Sequence, residues 1–232
     1  MLEELKKKVY EANINLGKSG LVILTWGNVS AITDDRKYII IKPSGVPYSK
    51  MAIDDMVITD LDGNTIEGKL RPSVDLPTHI ELYKSFKEIK GITHTHSTYA
   101  TSFGQAMCEV PCYGTTQADT FHGSIPLVRL PKKEELNEYT KNIGKMIVER
   151  FNDLDPNENP GAILAKHGVF SWGKSPLESV TNAMIIEECA KMAYLSKQIN
   201  PNISLLPNEI LELHYQRKHG INKSYGQNIE NK

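Results

Sequence analysis

An α/β sandwich, with a mostly antiparallel sheet covered by helices, is the fold class predicted by this 232-residue sequence. Three observations predict it. Strand-like runs cluster early and are joined by short turns, and helical periodicity appears at both ends and between the strands. The glycine patterns of dinucleotide folds and of P-loops are missing. The length suits one domain, 1–232, with a flexible tail from about 226.

Leu2, Leu5, Val9, Ala12 and Leu16 recur at helical spacing, so the first element should be an amphipathic helix with Lys6, Lys7 and Lys8 on a solvated face. After Gly20, "LVILTWGNVSAI" and "KYIIIKPSG" read as two strands separated by "TDDR". In "MVITDLDGNTIEG", Asp62-Gly63 marks a hairpin. "PTHIELYKSFKEI" has the helical period, "GITHTHS" and "SIPLVRL" are short strands, and "KKEELNEYTKNIGKMIVERF" is a helix. A polar loop, "DLDPNENPGA", leads into the strand pair "AILAKHGVFSWG". Ser175, Pro176 and Glu178 supply an N-cap, a proline at the first helical position and a capping-box acid, so a helix starts there and runs to about Gln198. "NEILELHYQRKHG" is a last amphipathic piece before a polar tail.

The bulk numbers exclude several classes. Lysine and arginine total 27 and acidic residues 28, a net charge of -1 that gives no general attraction to nucleic acid or anionic lipid. The longest apolar run is far short of the roughly 20 residues that span a bilayer, and the N-terminus lacks the uninterrupted apolar stretch of a secretion signal. Three cysteines, Cys108, Cys112 and Cys189, cannot all pair, which fits a reducing, cytoplasmic compartment. With no second cysteine pair, Cys108 and Cys112 do not complete a closed zinc site.

The candidate chemistry centres on "GITHTHS". Residues i and i+2 of a strand share a face, so His94 and His96 present their imidazoles together. A catalytic zinc site takes three protein ligands and keeps one position open. His167 in "LAKHGVFSWG" is the candidate third ligand, and Asp75 in "PSVDLPTH" could complete the set. An H-x-H pair can equally be a hydrogen-bonded surface pair. "TWGNVS", "KPSG" and "RPS" each put hydroxyls, amides or cations at a bend, either as ordinary turns or as nests of N–H groups for phosphate. Asp119 in "GTTQADTFHG" reads as a loop carboxylate, either a general base or a turn cap. His214, Tyr215 and Tyr225 lie where a C-terminal tail can reach a neighbouring subunit or simply face water. Trp26, Trp172 and Cys189 read as packing residues.

Taken in order, "LTWGNVS", "IKPSG", "PSVDLPTH", "HTHS", "GTTQAD", "HGVFSWGK" and "HYQRKHG...YGQ" resemble the class II aldolase/epimerase (adducin-like) family over nearly the whole chain, from Met1 to about Gln227. The resemblance implies a class II aldolase-like sandwich with His94, His96 and His167 as zinc ligands. Asp75 would stand where the aldolases carry a metal-binding glutamate, a difference that favours an epimerase. It implies that Gly27, Asn28, Ser44, Gly45 and Ser73 hold a substrate phosphate, with Lys42 beside them. Asp119 would be one acid-base group and Tyr225 of an adjacent subunit the other, with His214 of that neighbour contributing. The implied assembly is a homotetramer with active sites at subunit interfaces. Two departures stand out: Val74 replaces a usual serine of the phosphate turn, and Gln117 a histidine of some relatives.

The activity implied is inversion at C4 of L-ribulose 5-phosphate to give D-xylulose 5-phosphate. C4 is not adjacent to the C2 carbonyl, so its hydrogen is not acidic. Retro-aldol cleavage of C3–C4 and re-addition to the other face of the aldehyde avoids that obstacle. The O4 proton leaves on one side and returns on the other, which calls for two acid-base groups. The alternatives are a sugar-phosphate aldolase of the L-fuculose-phosphate type, a non-catalytic metal-binding module and a metal-dependent hydrolase. The open coordination of three histidines argues against a structural site, and a hydrolase barrel wants a longer chain with its H-x-H near the N-terminus.

Overall fold

The computed structural model describes residues 2–221 and 223; Tyr225 and the expected tail from 226 lie outside them. Strands β1 (Asn28–Ile32), β2 (Tyr38–Ile41), β3 (Val57–Asp60), β4 (Thr65–Glu67), β5 (Gly91–Thr95), β6 (Leu127–Val128), β7 (Gly161–Leu164) and β8 (Val169–Gly173) form one sheet in the order β4-β3-β2-β1-β5-β8-β7-β6. Every neighbouring pair is antiparallel except β6 with β7. This is the expected mixed α/β sandwich.

Side chains alternate across the strands, and the helices divide accordingly. Helices α2 (Leu76–Ser85) and α5 (Tyr139–Arg150) cover one face, where Ile39, Ile41, Ile92, Phe170 and Trp172 join Leu82 and Ile147 in a single core. On the other face lie α1 (Leu2–Lys18), α3 (Thr98–Gln105) and the long α6 (Pro176–Ile199). There Val9 packs with Ile40 and Ile58, Leu16 with Val29 and Val180, and Ile186 with Ile163 and Val169. Helices α4 (Thr115–Ala118) and α7 (Asn208–His219) pack on each other. No helix among the described residues is long and apolar enough to cross a membrane.

Two polar clamps fix these layers. Asn13 in α1 donates to the Val29 carbonyl and accepts the Val29 N–H, stitching α1 to β1. Arg36, in the β1–β2 turn, donates to the carbonyls of Tyr83, Phe86, Lys87 and Ile89, which ends α2 at Ser85 instead of letting it run on to Ile89. At the start of α6 the Ser175 hydroxyl accepts the Glu178 N–H, as its sequence predicts.

Elsewhere the structure departs from the sequence reading. Residues 21–27 form an irregular segment with a turn at 24–25, and the first strand begins only at Asn28. The run 133–138 is a 3-10 turn ahead of α5. Lys6 does not face water: it is 5% exposed and reaches Glu67 of the edge strand at 2.6 Å. Helix α3 was not anticipated. Its first-turn N–H groups, on Tyr99 and Ala100, are accepted by the two carboxylate oxygens of Glu187, which arrives from α6.

Candidate metal centre and phosphate-binding turns

The ladder register builds the site. Asn28 of β1 pairs with His94 of β5, and His94 with Phe170 of β8, so these three side chains lie abreast on one face. His96 follows β5 directly, and His167 sits in the tight β7–β8 turn. Gly168 makes the approach possible, because a Cβ there would lie 2.6 Å from the Thr95 carbonyl and 2.5 Å from the His96 ring.

The result is a cluster of His94, His96 and His167 in which one ring nitrogen from each lies within 4.8 Å of the others. Ring centroids are 4.8 Å apart for His94 and His96, and 5.2 Å for each pair with His167. His94 Nδ1 donates to the Val169 carbonyl at 2.8 Å, so its Nε2 carries a lone pair, and that atom faces His96 Nε2 at 3.0 Å. Burial, then the neighbouring His94, brings His96 down to about 4; burial, then His94 and His96, does the same for His167. Both rings are therefore neutral near pH 7, the form that binds a metal. A cation between the rings would take the lone pair of His94 Nε2 together with one ring-nitrogen lone pair from each of the other two histidines. Tetrahedral ligation at ~2.0–2.1 Å would space the nitrogens by about 3.3 Å; His94 and His96 stand at 3.0 Å, and the three residues' nitrogens fall within 4.8 Å of one another. The donor set fits a divalent transition cation.

Asp75, at the N-terminus of α2, stands beside this cluster. Its Oδ2 accepts the Asn28 side-chain amide at 2.7 Å, and that same amide nitrogen donates to Ser73 Oγ at 3.0 Å. Burial works against ionisation of Asp75, but His94, His79 and the Asn28 amide outweigh it and hold the carboxyl below its ordinary range. His79, one turn into α2, is fully buried against Ser30 Oγ at 2.7 Å, and burial lowers it to about 3.

The three bends expected to bind phosphate meet here. The Ser73 N–H donates to the Lys42 carbonyl at 3.0 Å, and the Ser44 N–H to the Arg71 carbonyl at 2.9 Å. Gly27 has φ +77, and a Cβ would lie 2.7 Å from the His94 carbonyl, so only glycine lets this bend sit against β5. Gly45 adopts φ +70 with open space around it. Lys42 is 2% exposed, its Nζ lying 3.3 Å from the Pro43 carbonyl and 4.9 Å above the Tyr48 ring. Burial brings its ammonium down to about 8. Val74 is exposed, and the Gln117 amide is used internally on the Val110 and Gly123 carbonyls.

Asp119 lies elsewhere in the chain. It ends α4 instead of sitting in a loop, and its Oδ1 meets His214 Nδ1 at 3.1 Å while Oδ2 meets Lys218 Nζ at 3.3 Å. The sequence reading placed Asp119 and His214 on different chains; here they pair within one. Asp119 borders a cavity of about 640 Å³ whose lining includes Lys218, Tyr99 and Glu187 but none of the three histidines. Tyr215 packs between the rings of His122 and His219. Tyr225 lies outside the described residues. Two aromatic residues near the histidines escaped the sequence reading. Trp26, expected in the core, is 49% exposed with its ring 5.9 Å from His96, and Tyr139 stacks on His167.

Comparison with known proteins agrees with this geometry. Residues 7–194 match the family described as Class II Aldolase and Adducin N-terminal domain. L-ribulose-5-phosphate 4-epimerase UlaF of Salmonella paratyphi A is 45% identical over 227 residues, which cover 97% of this chain and all of that one. The protein of the same name from Salmonella typhi matches equally. Among solved structures, an L-fuculose 1-phosphate aldolase shares the fold with a TM-score of 0.78 at 24% identity, over 92% of this chain and 95% of its own.

Proposed function

This chain belongs to the class II aldolase and adducin family, and on that premise we propose that it is a zinc-dependent L-ribulose-5-phosphate 4-epimerase. The observation that carries the reading is the short connection from His94, His96 and His167, past Asp75, through Asn28 to Ser73. A cation end and a phosphate end a few side chains apart would suit a small sugar phosphate. The 45% identity to proteins named for this activity supports the substrate.

His94, His96 and His167 would hold the zinc, with Asp75 beside them. Bound there, the ion supplies Lewis-acid stabilisation of negative charge on the C2 and C3 oxygens of the sugar. Lys42, Ser44, Gly45, Ser73 and the Gly27–Asn28 bend hold the phosphate, so the aldehyde fragment stays in place while it turns. Cleavage of C3–C4 takes the O4 proton to one acid-base group, and re-addition returns a proton to O4 from the other. Asp119, hydrogen-bonded to His214, and Tyr225 are assigned these roles across a subunit boundary in a homotetramer. A cytoplasmic sugar-degrading role follows from this reading.

The test is product analysis with L-ribulose 5-phosphate, with and without a chelator. D-xylulose 5-phosphate should form and the chelator should abolish it. Accumulation of glycolaldehyde phosphate without the epimer would make the protein an aldolase instead. His96→Asn should lose stoichiometric metal; full retention would remove His96 from the ligand set.

A further inference from the structure

Tyr139 opens α5 and carries its ring over His167, the centroids 6.0 Å apart and the planes 28° from parallel. Its hydroxyl lies 3.3 Å from His167 Nδ1 and makes no other hydrogen bond among the described residues. A neutral imidazole has one N–H and one lone pair. If Nε2 of His167 lends its lone pair to a cation, the ring proton must sit on Nδ1, and the group waiting there is the Tyr139 oxygen. His94 shows the same arrangement, with its Nδ1 proton accepted by the Val169 carbonyl. That partner is backbone, which no side-chain substitution removes. The partner of His167 is a side chain.

We propose that Tyr139 is a positioning residue for the metal centre: its hydroxyl oxygen accepts the Nδ1 proton of His167 and holds the ring in the tautomer and orientation that present Nε2. The proposal rests on the metal reading given above. Outer partners of this kind tune affinity by about 10–100-fold, because they fix both tautomer and ring direction. A packing role alone would need the ring but not the oxygen.

The experiment measures zinc and cobalt affinity of the full chain by competition with a chromophoric chelator, in wild type, Tyr139→Phe and Tyr139→Gln. Tyr139→Phe keeps the ring and should lose about tenfold or more in affinity, with the melting temperature of the metal-free protein unchanged. Tyr139→Gln restores a carbonyl acceptor and should recover part of that loss, and the visible spectrum of its cobalt form should move back toward wild type. Phenylalanine binding zinc as tightly as tyrosine would overturn the proposal, and so would glutamine binding no better than phenylalanine. A wild-type chain that binds no stoichiometric cation would instead overturn the metal reading itself, before any variant is compared.

Discussion

Lys42 concentrates the residue-scale argument. A buried ammonium is costly unless an anion joins it, and burial has already brought this one to about 8. Below that pH it is charged and attracts phosphate; above it the attraction fades. Stability moves the other way. The folded value lies under the ~10.4 of an unfolded lysine, so between these values the unfolded chain binds more protons and the fold gains stability as pH rises. Inorganic phosphate, used as a competitive inhibitor, should therefore weaken progressively above about pH 8, while urea stability in the same window holds or increases. Lys42→Met should raise the phosphate inhibition constant about tenfold or more at pH 7, as expected for a lost charge-assisted hydrogen bond, and flatten its pH dependence. An unchanged constant would remove Lys42 from the phosphate site. The lysine was legible because it sits in "KPSG", a bend with a cation. Lys6 was misread because nothing local reveals Glu67, 61 residues away, as its partner. Tyr139 carried no signal at all, since its role depends on His167 arriving from another element.

Among the elements, the hairpins and the amphipathic helices were legible because local chemistry decides them: Asp62-Gly63 turns β3 into β4, and Ser175 caps α6. The H-x-H pair was legible through strand period alone, although His96 lies one residue past the end of β5. Helix α3 was hidden because its N–H groups are satisfied by Glu187, a residue far along the chain. The sheet order was hidden for a similar reason, since β5 pairs with β1 and β8 across long stretches of sequence. Where elements meet this closely, one methyl group matters. Gly168→Ala would push a Cβ to 2.5 Å from the His96 ring and 3.2 Å from His94. Overpacking of this kind costs about 1–3 kcal/mol, which urea unfolding would measure. Cation affinity should fall with it, because the strain is relieved by spreading the histidines. Normal affinity in a stable Gly168→Ala chain would show that the β7–β8 turn does not set the cluster.

For the whole molecule, none of the three histidines lines the cavity that Asp119 borders. The histidines lie beside Asp75 and the phosphate bends, whereas Asp119 and His214 pair beside the cavity bordered by α6 and α7. If the two halves come from different copies, as the proposed function has it, a closed ring of copies makes every site composite. His96→Asn damages one half and His214→Asn the other, so each variant alone should have little activity. Co-expression in equal amounts with random assembly should leave about a quarter of the composite sites with both contributions intact, because each needs a sound partner at one-half probability. The mixture should then recover about a quarter of wild-type turnover, in particles that gel filtration shows to be larger than a monomer. A site built within a single chain behaves differently, since every chain in the mixture carries one defect and none is whole. A mixture no more active than the separate low-activity variants would place both halves in one chain, whereas a His214→Asn variant with wild-type turnover would place His214 outside the reaction centred on His94, His96 and His167.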